Sequence, residues 1–209
     1  GWIEAEDEVL ETETVVRRIR LDIMRHNRKL EEYCILYRSN FQSRVLEESL
    51  REAKLTYRVV GGKSFFERKE IRDALAYLKL IQNPNDLVSL QRVINTPRRG
   101  IGKTSLMQLN ACVAETSLPV LKIMSQARKY SSIPAEAASS MEVFSALLGD
   151  FQGRFEKGNL GEVFRELLDE LGYLRFLEQQ SGDVKSREKR IQVVQELLRG
   201  AQRLSLIHI

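Results

Sequence analysis

"YCILYRSNFQSRVLEESLREAKLTYRVVGG", residues 33–62, changes its hydrophobic period twice within thirty positions. Tyr33 to Tyr37 is a nearly continuous apolar run that reads as a buried strand, broken at Ser39-Asn40. Gln42 to Lys54 then places Val45, Leu50 and Ala53 on one helical face, and Tyr57 to Val60 is a second strand ending at Gly61-Gly62. Strand, helix and strand in so short a span imply a right-handed parallel crossover. Two parallel strands do not stand alone, because both faces and both edges need cover. The expected fold is therefore an α/β fragment whose remaining strands come from elsewhere in a longer chain.

On the N-terminal side, Glu11 to about Arg28 carries Val16, Ile19 and Ile23 at helical spacing among charged residues. On the C-terminal side the strand signals stop at Gly62 and the chain becomes helical. Arg68 to Gln82 has Ile71, Ala74, Leu75 and Leu78 on one stripe, ended by Asn83-Pro84. Asp86 is placed to cap the next helix, whose apolar face is Leu87, Leu90, Val93 and Ile94, and Pro97 stops it. Further helices are expected near 104–115, 119–127, 135–156, 160–171 and 186–203, separated by Ser117-Leu-Pro119, Ser131-Ser-Ile-Pro134 and Ser181-Gly-Asp183. The fold class is an α/β fragment followed by an all-helical domain, mostly α overall.

The charge balance permits an anionic partner without demanding one: 33 Lys and Arg stand against 29 Asp and Glu, giving a net charge of +4. Two distant cysteines, Cys34 and Cys112, offer neither a disulfide framework nor a zinc site, and a reducing cytoplasm is expected. Neither His26 nor His208 has a neighbouring nucleophile or ligand cluster. No apolar run approaches the roughly 20 residues of a membrane span, so no membrane partner is expected. The acidic start GWIEAEDEVLETE lacks the regions of a signal peptide.

Two glycine turns imitate a nucleotide loop. A Walker A loop needs a glycine five positions before its Gly-Lys-Ser/Thr and a strand ahead of it. For Gly102-Lys103-Thr104 that position is Pro97, which has no N–H, and for Gly62-Lys63-Ser64 it is Tyr57, so both fail. The stretch "TPRRGIGKTS", 96–105, suits a different phosphate chemistry. Gly100-Ile101-Gly102 forms a turn between helices, Ile101 anchors it, and the following helix offers N–H groups, while Arg98, Arg99 and Lys103 surround it with positive charge. A basic helix corner without a ligand is the other reading of the same residues.

"ILYRSNFQSRVLEESL" (35–50), "YRVVGGKSFFERKEIRDALAYLKLIQNPND" (57–86) and "SLQRVINTPRRGIGKTSL" (89–106) together resemble the UvrD/Rep type of superfamily 1 DNA helicase. The resemblance is dense from about 33 to 106 and weaker beyond. It implies a DNA-stimulated ATPase that moves 3′ to 5′ on single-stranded DNA and separates duplex ahead of it. ATP would lie between RecA-like domains 1A and 2A, with a helical domain 2B inserted in 2A. Residues 1–100 would be the opening of 2A and 101–203 part of 2B, with the boundary between 95 and 135. By resemblance Tyr37 packs on adenine and Arg38 reaches the γ-phosphate as the catalytic arginine. Arg98, Arg99, Gly100, Ile101, Gly102, Lys103 and Thr104 would meet the duplex backbone. The Gly61-Gly62, Phe65, Phe66 and Arg68 segment also matches the family; the phenylalanine pair reads first as core, with base stacking as the other reading.

Departures from the family matter. The chain shows no Walker A loop, no acidic box for Mg²⁺ and no later arginine motif, so it is not expected to hydrolyse ATP alone. Mg²⁺ ligands, domains 1A and 1B and the rest of 2A and 2B would be supplied by the remainder of the helicase. The ending LSLIHI, 204–209, reads as a non-native tail, with an ordinary terminal strand as the other reading. The competing reading is a stand-alone helical DNA-binding module without ATPase activity.

Overall fold

The computed structural model describes residues 4–38, 42–60, 64–180 and 182–207. The expected breaks at Ser39-Asn40 and Ser181, the Gly61-Gly62 turn with Lys63, and the last two residues of the tail lie outside them. The chain divides into two compact units, Gly1–Arg68 and Lys69–Ile209.

In the first unit, helix α1 (Glu8–His26) is opened by Asp7, whose carboxylate accepts from the amides of Val9 at 2.9 Å and Leu10 at 2.8 Å. It closes on Asn27 in the left-handed region at φ 52°. Helix α2 (Gln42–Glu52) packs on α1, with Val16 and Val45 buried. Tyr33 donates its hydroxyl to the Asp22 carboxylate at 2.6 Å, which ties the segment after α1 back to that helix. Burial and that acceptor push the phenol up to about 12.

The expected strands are extended segments that find no pairing partner among the described residues. Tyr33, Ile35 and Tyr37 are half-buried while Cys34, Leu36 and Arg38 are exposed, and Leu55, Tyr57 and Val59 alternate with Thr56, Arg58 and Val60 in the same way. This is the period of a strand. Yet among the described residues there is no strand, because an extended segment becomes one only when a neighbour takes its N–H and C=O groups. Both segments instead line a cavity of about 810 Å³ floored by Leu46 and Leu50 of α2. Among the described residues the two segments form no parallel crossover.

Glu47 of α2 holds this unit's far end. One carboxylate oxygen accepts from the Phe65 amide at 2.9 Å; the other accepts from the Tyr57 hydroxyl at 3.0 Å and from the Ser64 hydroxyl. A carboxylate this buried is tolerated when several donors replace its water. Phe65 is core at 1% exposure, and Phe66 lies under the Arg51 guanidinium at 4.4 Å.

Among its described residues the α-helices of the second unit are α3 (Lys69–Gln82), α4 (Leu87–Val93), α5 (Lys103–Thr116), α6 (Val120–Met124), α7 (Ala135–Lys157), α8 (Leu160–Glu170), α9 (Tyr173–Gln180) and α10 (Val184–Ile207). Sequence periodicity anticipated all of them except α9, an eight-residue helix contributing buried Tyr173 and Leu177. Helix α3 is central, packing on α4, α7 and α10 through Ile71, Ala74, Tyr77 and Leu80. Helix α8 lies against α10, where a Cβ at Gly161 would come within 2.6 Å of the Gln202 backbone, so only glycine admits that approach. Asp86 caps α4 as expected, accepting from the Ser89 hydroxyl at 2.6 Å and amide at 2.9 Å, and these bonds hold its carboxyl below the usual range.

Asp73 of α3 is buried and pairs with Arg92 of α4 at 2.9 Å. Burial lifts its carboxyl above the ordinary value of 3.8, and the Arg92 charge only partly opposes that. A carboxyl raised on folding stabilises most below its unfolded pKa, and this contribution is lost as pH rises through the folded one. The stability of the wild-type chain relative to Asp73→Asn should accordingly fall as pH rises from about 3.8; urea denaturation of both proteins across pH 4 to 7 checks the sign.

Candidate functional site

The stretch between α4 and α5 is built from its end inward. Helix α4 stops at Val93, Ile94 keeps helical angles, and the Thr96–Pro97 peptide is cis. The last carbonyls of a helix lack intrahelical donors. Arg99 supplies them: its Nη1 donates to the carbonyls of Val93 at 2.9 Å, Ile94 at 3.1 Å and Pro97 at 3.2 Å. The same guanidinium lies 4.0 Å above the Phe144 ring of α7, and its Nη2 donates to the Tyr77 hydroxyl at 3.3 Å. Tyr77 in turn donates to the Thr96 carbonyl. A cation belongs at a helix C-terminus, and here an aromatic floor holds it there.

The turn itself hangs on one side chain. Asn95 Oδ1 accepts from the amides of Arg99 and Ile101, each at 3.2 Å, and Asn95 Nδ2 donates to the Ile101 carbonyl. Ile101 is driven into the core at 1% exposure. Gly100 sits at φ 72°, where a Cβ is strained, although nothing lies within 4 Å of the place one would occupy. Gly102 is the N-cap of α5 with ordinary extended angles, no side-chain cap and open space around its missing Cβ. The fold itself does not demand glycine at 102.

The seven residues expected to form a contact are thus brought onto one turn but do not face one way. Arg98, Gly100, Gly102, Lys103 and Thr104 are exposed. Arg99 and Ile101 point inward, one to the α4 carbonyls and the other to the core. The exposed set surrounds the opening of α5, whose first turn carries no acidic residue. Unpaired amides, a positive dipole end and two exposed cations form an anion-attracting surface.

Tyr37 and Arg38 lie in the other compact unit, at the end of the extended segment that begins at Tyr33. Tyr37 is half-buried on the wall of the 810 Å³ cavity, and Arg38 is exposed, with its amide donating to Gln42 Oε1 at 3.0 Å. That bond ties the end of the segment to the start of α2. The ring offers an apolar face and the guanidinium a fixed charge with several donors.

Residues 1–206 match the UvrD-like helicase C-terminal domain. The chain belongs to that family. It is 38% identical over 165 residues to the ATP-dependent DNA helicase PcrA of Bacillus subtilis (strain 168), covering 78% of this chain and 22% of that protein. It is 34% identical over 180 residues to the PcrA helicase of Staphylococcus aureus (strain Mu50 / ATCC 700699), and 37% identical over 146 residues to that of Leuconostoc citreum. The chain spans between a fifth and a quarter of the length of these relatives. In this UvrD-like domain, the residues that sequence reasoning missed are those that hold the turn from behind: Asn95, Tyr77 and Phe144. Asn95 left one local signal, a short polar side chain between the end of a helix and a proline. The partners from α3 and α7 left none.

The two glycines of the UvrD-like turn should separate in the laboratory. Gly100→Ala forces an L-residue to positive φ and should cost about 1 to 2 kcal/mol. Gly102→Ala should cost less than about 1 kcal/mol, since only the N-cap preference is lost. Thermal denaturation of the two variants measures the difference.

Proposed function

We propose that this chain is part of an ATP-dependent DNA helicase that moves 3′ to 5′ on single-stranded DNA and opens duplex ahead of it. It contributes one wall of the ATP site and one contact to the duplex backbone. The observation that carries the reading is the family match over nearly the whole chain, joined to a turn whose exposed face is all glycine, cation, hydroxyl and helix start. Family membership supports ATP-driven work on DNA, and the turn supports a sequence-independent grip on phosphates.

At the ATP site, Tyr37 stacks on adenine and Arg38 meets the γ-phosphate of a nucleotide held mainly by the other RecA-like domain. The residues present fit those tasks: a half-buried ring beside a cavity and an exposed guanidinium at the end of an extended segment. A fixed cation there stabilises the phosphoryl oxygens as charge redistributes during cleavage, and it registers whether the γ-phosphate is present. Among the described residues no cluster of His, Cys, Asp or Glu is arranged to hold a metal ion. We assign the Mg²⁺ ligands to the remainder of the helicase, with domains 1A and 1B and the rest of 2A and 2B. On this reading residues 1–100 open domain 2A and 101–203 belong to 2B. The extended segments 33–38 and 55–60 are then sheet strands whose neighbours belong to the rest of 2A, which accounts for their alternating burial without pairing.

At the duplex, Arg98 and Lys103 supply charge, Thr104 a hydroxyl, and Gly100 and Gly102 close backbone approach. Arg99 and Ile101 contribute by holding the turn. In the full-length protein, Arg38→Ala should lower ATP turnover at least about tenfold while DNA binding survives; unchanged turnover in a coupled ATPase assay removes Arg38 from the mechanism. Arg98→Ala combined with Lys103→Ala should weaken duplex affinity and reduce its salt slope by about 2, one unit per phosphate released. Fluorescence titrations of duplex DNA from low to high salt measure that slope.

A further inference from the structure

Asn95 makes three hydrogen bonds to a turn whose sequence is otherwise selected for smallness and charge. It is half-buried, two positions beyond the end of α4, and its amide is directed at the turn backbone rather than at solvent. Its Oδ1 takes the Ile101 N–H while its Nδ2 donates to the Ile101 C=O, so one side chain pairs with one residue as a neighbouring peptide would in a ladder. The second bond of Oδ1, from the Arg99 amide, closes the loop across Gly100.

This leaves Ile101 held three ways, by its N–H, its C=O and its buried side chain. The orientation of the next two peptide units, which open α5, follows from that grip. On the outer side no side chain caps Gly102, and no neighbouring atom lies within 4 Å of where its Cβ or that of Gly100 would sit. Where the α5 amides aim is set from the inner side, by this grip on Ile101 and by the packing of α5 through Ser105, Leu109 and Cys112.

We propose that Asn95 is a positioning residue for the phosphate contact: by holding both backbone groups of Ile101 it aims the amides at the start of α5 toward a duplex phosphate. The proposal rests on the reading of this turn as a duplex contact. Asn is the side chain that fits the task. Asp keeps the two acceptor bonds but sets an oxygen against the Ile101 carbonyl, and Ala removes all three.

The test uses the full-length helicase and a fluorescently labelled, fully paired DNA duplex. Asn95→Ala and the uncharged, shorter Asn95→Ser should each weaken duplex affinity about tenfold, the worth of a charge-assisted hydrogen bond to phosphate. Both should keep the wild-type salt slope, because Arg98 and Lys103 remain. The Arg98→Ala and Lys103→Ala double variant serves as the reference, losing affinity and slope together. Thermal melting shows whether each variant is folded; if Asn95→Ala is not, Asn95→Ser decides. Wild-type affinity in the folded Asn95 variants, with the double variant still impaired, overturns the proposal and leaves Asn95 a structural clamp. Wild-type affinity and slope in the double variant overturn the duplex contact itself, and the role of Asn95 falls with it.

Discussion

The guanidinium of Arg99 on the terminal carbonyls of α4 is the contact on which the rest of the second unit's surface depends. A helix that ends inside a packed unit must satisfy its last carbonyls, and the turn's own donors, the Thr96 amide and hydroxyl, reach those of Val93 and Arg92. Arg99 brings several donors in one plane and rests them on Phe144, while Tyr77 joins the same group from α3. Charge that looks like surface decoration in the sequence is thereby consumed in holding three helices at one corner. What remains for a partner is the outer side of the turn.

The turn consequently divides its labour between two layers. Behind it are Asn95, Arg99, Ile101, Tyr77 and Phe144, which supply hydrogen bonds and apolar cover. In front are Arg98, Gly100, Gly102, Lys103 and Thr104, which leave backbone and charge exposed. For the proposed duplex contact, this asymmetry aims the donors in advance, since ordering them on binding would cost affinity. The local hydrogen bonding of Asn95 holds the inner layer of the turn in place.

The first unit follows a related rule with a different outcome. Glu47 and Asp22 fasten the two extended segments to helices at their ends, through Tyr57, Phe65 and Tyr33. Their middles are left facing a cavity, with Leu36 and Val60 largely exposed. Apolar side chains on the outer face of an extended segment are unfavourable in water and suit a segment that is covered on both sides. Tyr37 and Arg38 stand at the end of one such segment.

Much of this was written in the sequence. The 3.6-residue apolar stripes placed the helices to within a few residues, Asp86 announced its cap, and Pro97 excluded a nucleotide loop at Gly102. The ordered stretches from 33 to 106 indicated the family, because local backbone requirements and charged positions leave a linear trace. Strand pairing did not, since it depends on partners far away in the chain; alternation survived at 33–38 and 55–60, but hydrogen bonding could not follow. Helix α9 escaped notice because eight residues carry too few turns of periodicity. The direction of each arginine was also beyond the sequence. Arg98 and Arg99 are adjacent and chemically identical, and only the packing of α3, α4 and α7 decides that one faces solvent while the other caps a helix, because a side chain's role is set by the donors, acceptors and rings that the folded chain brings within reach.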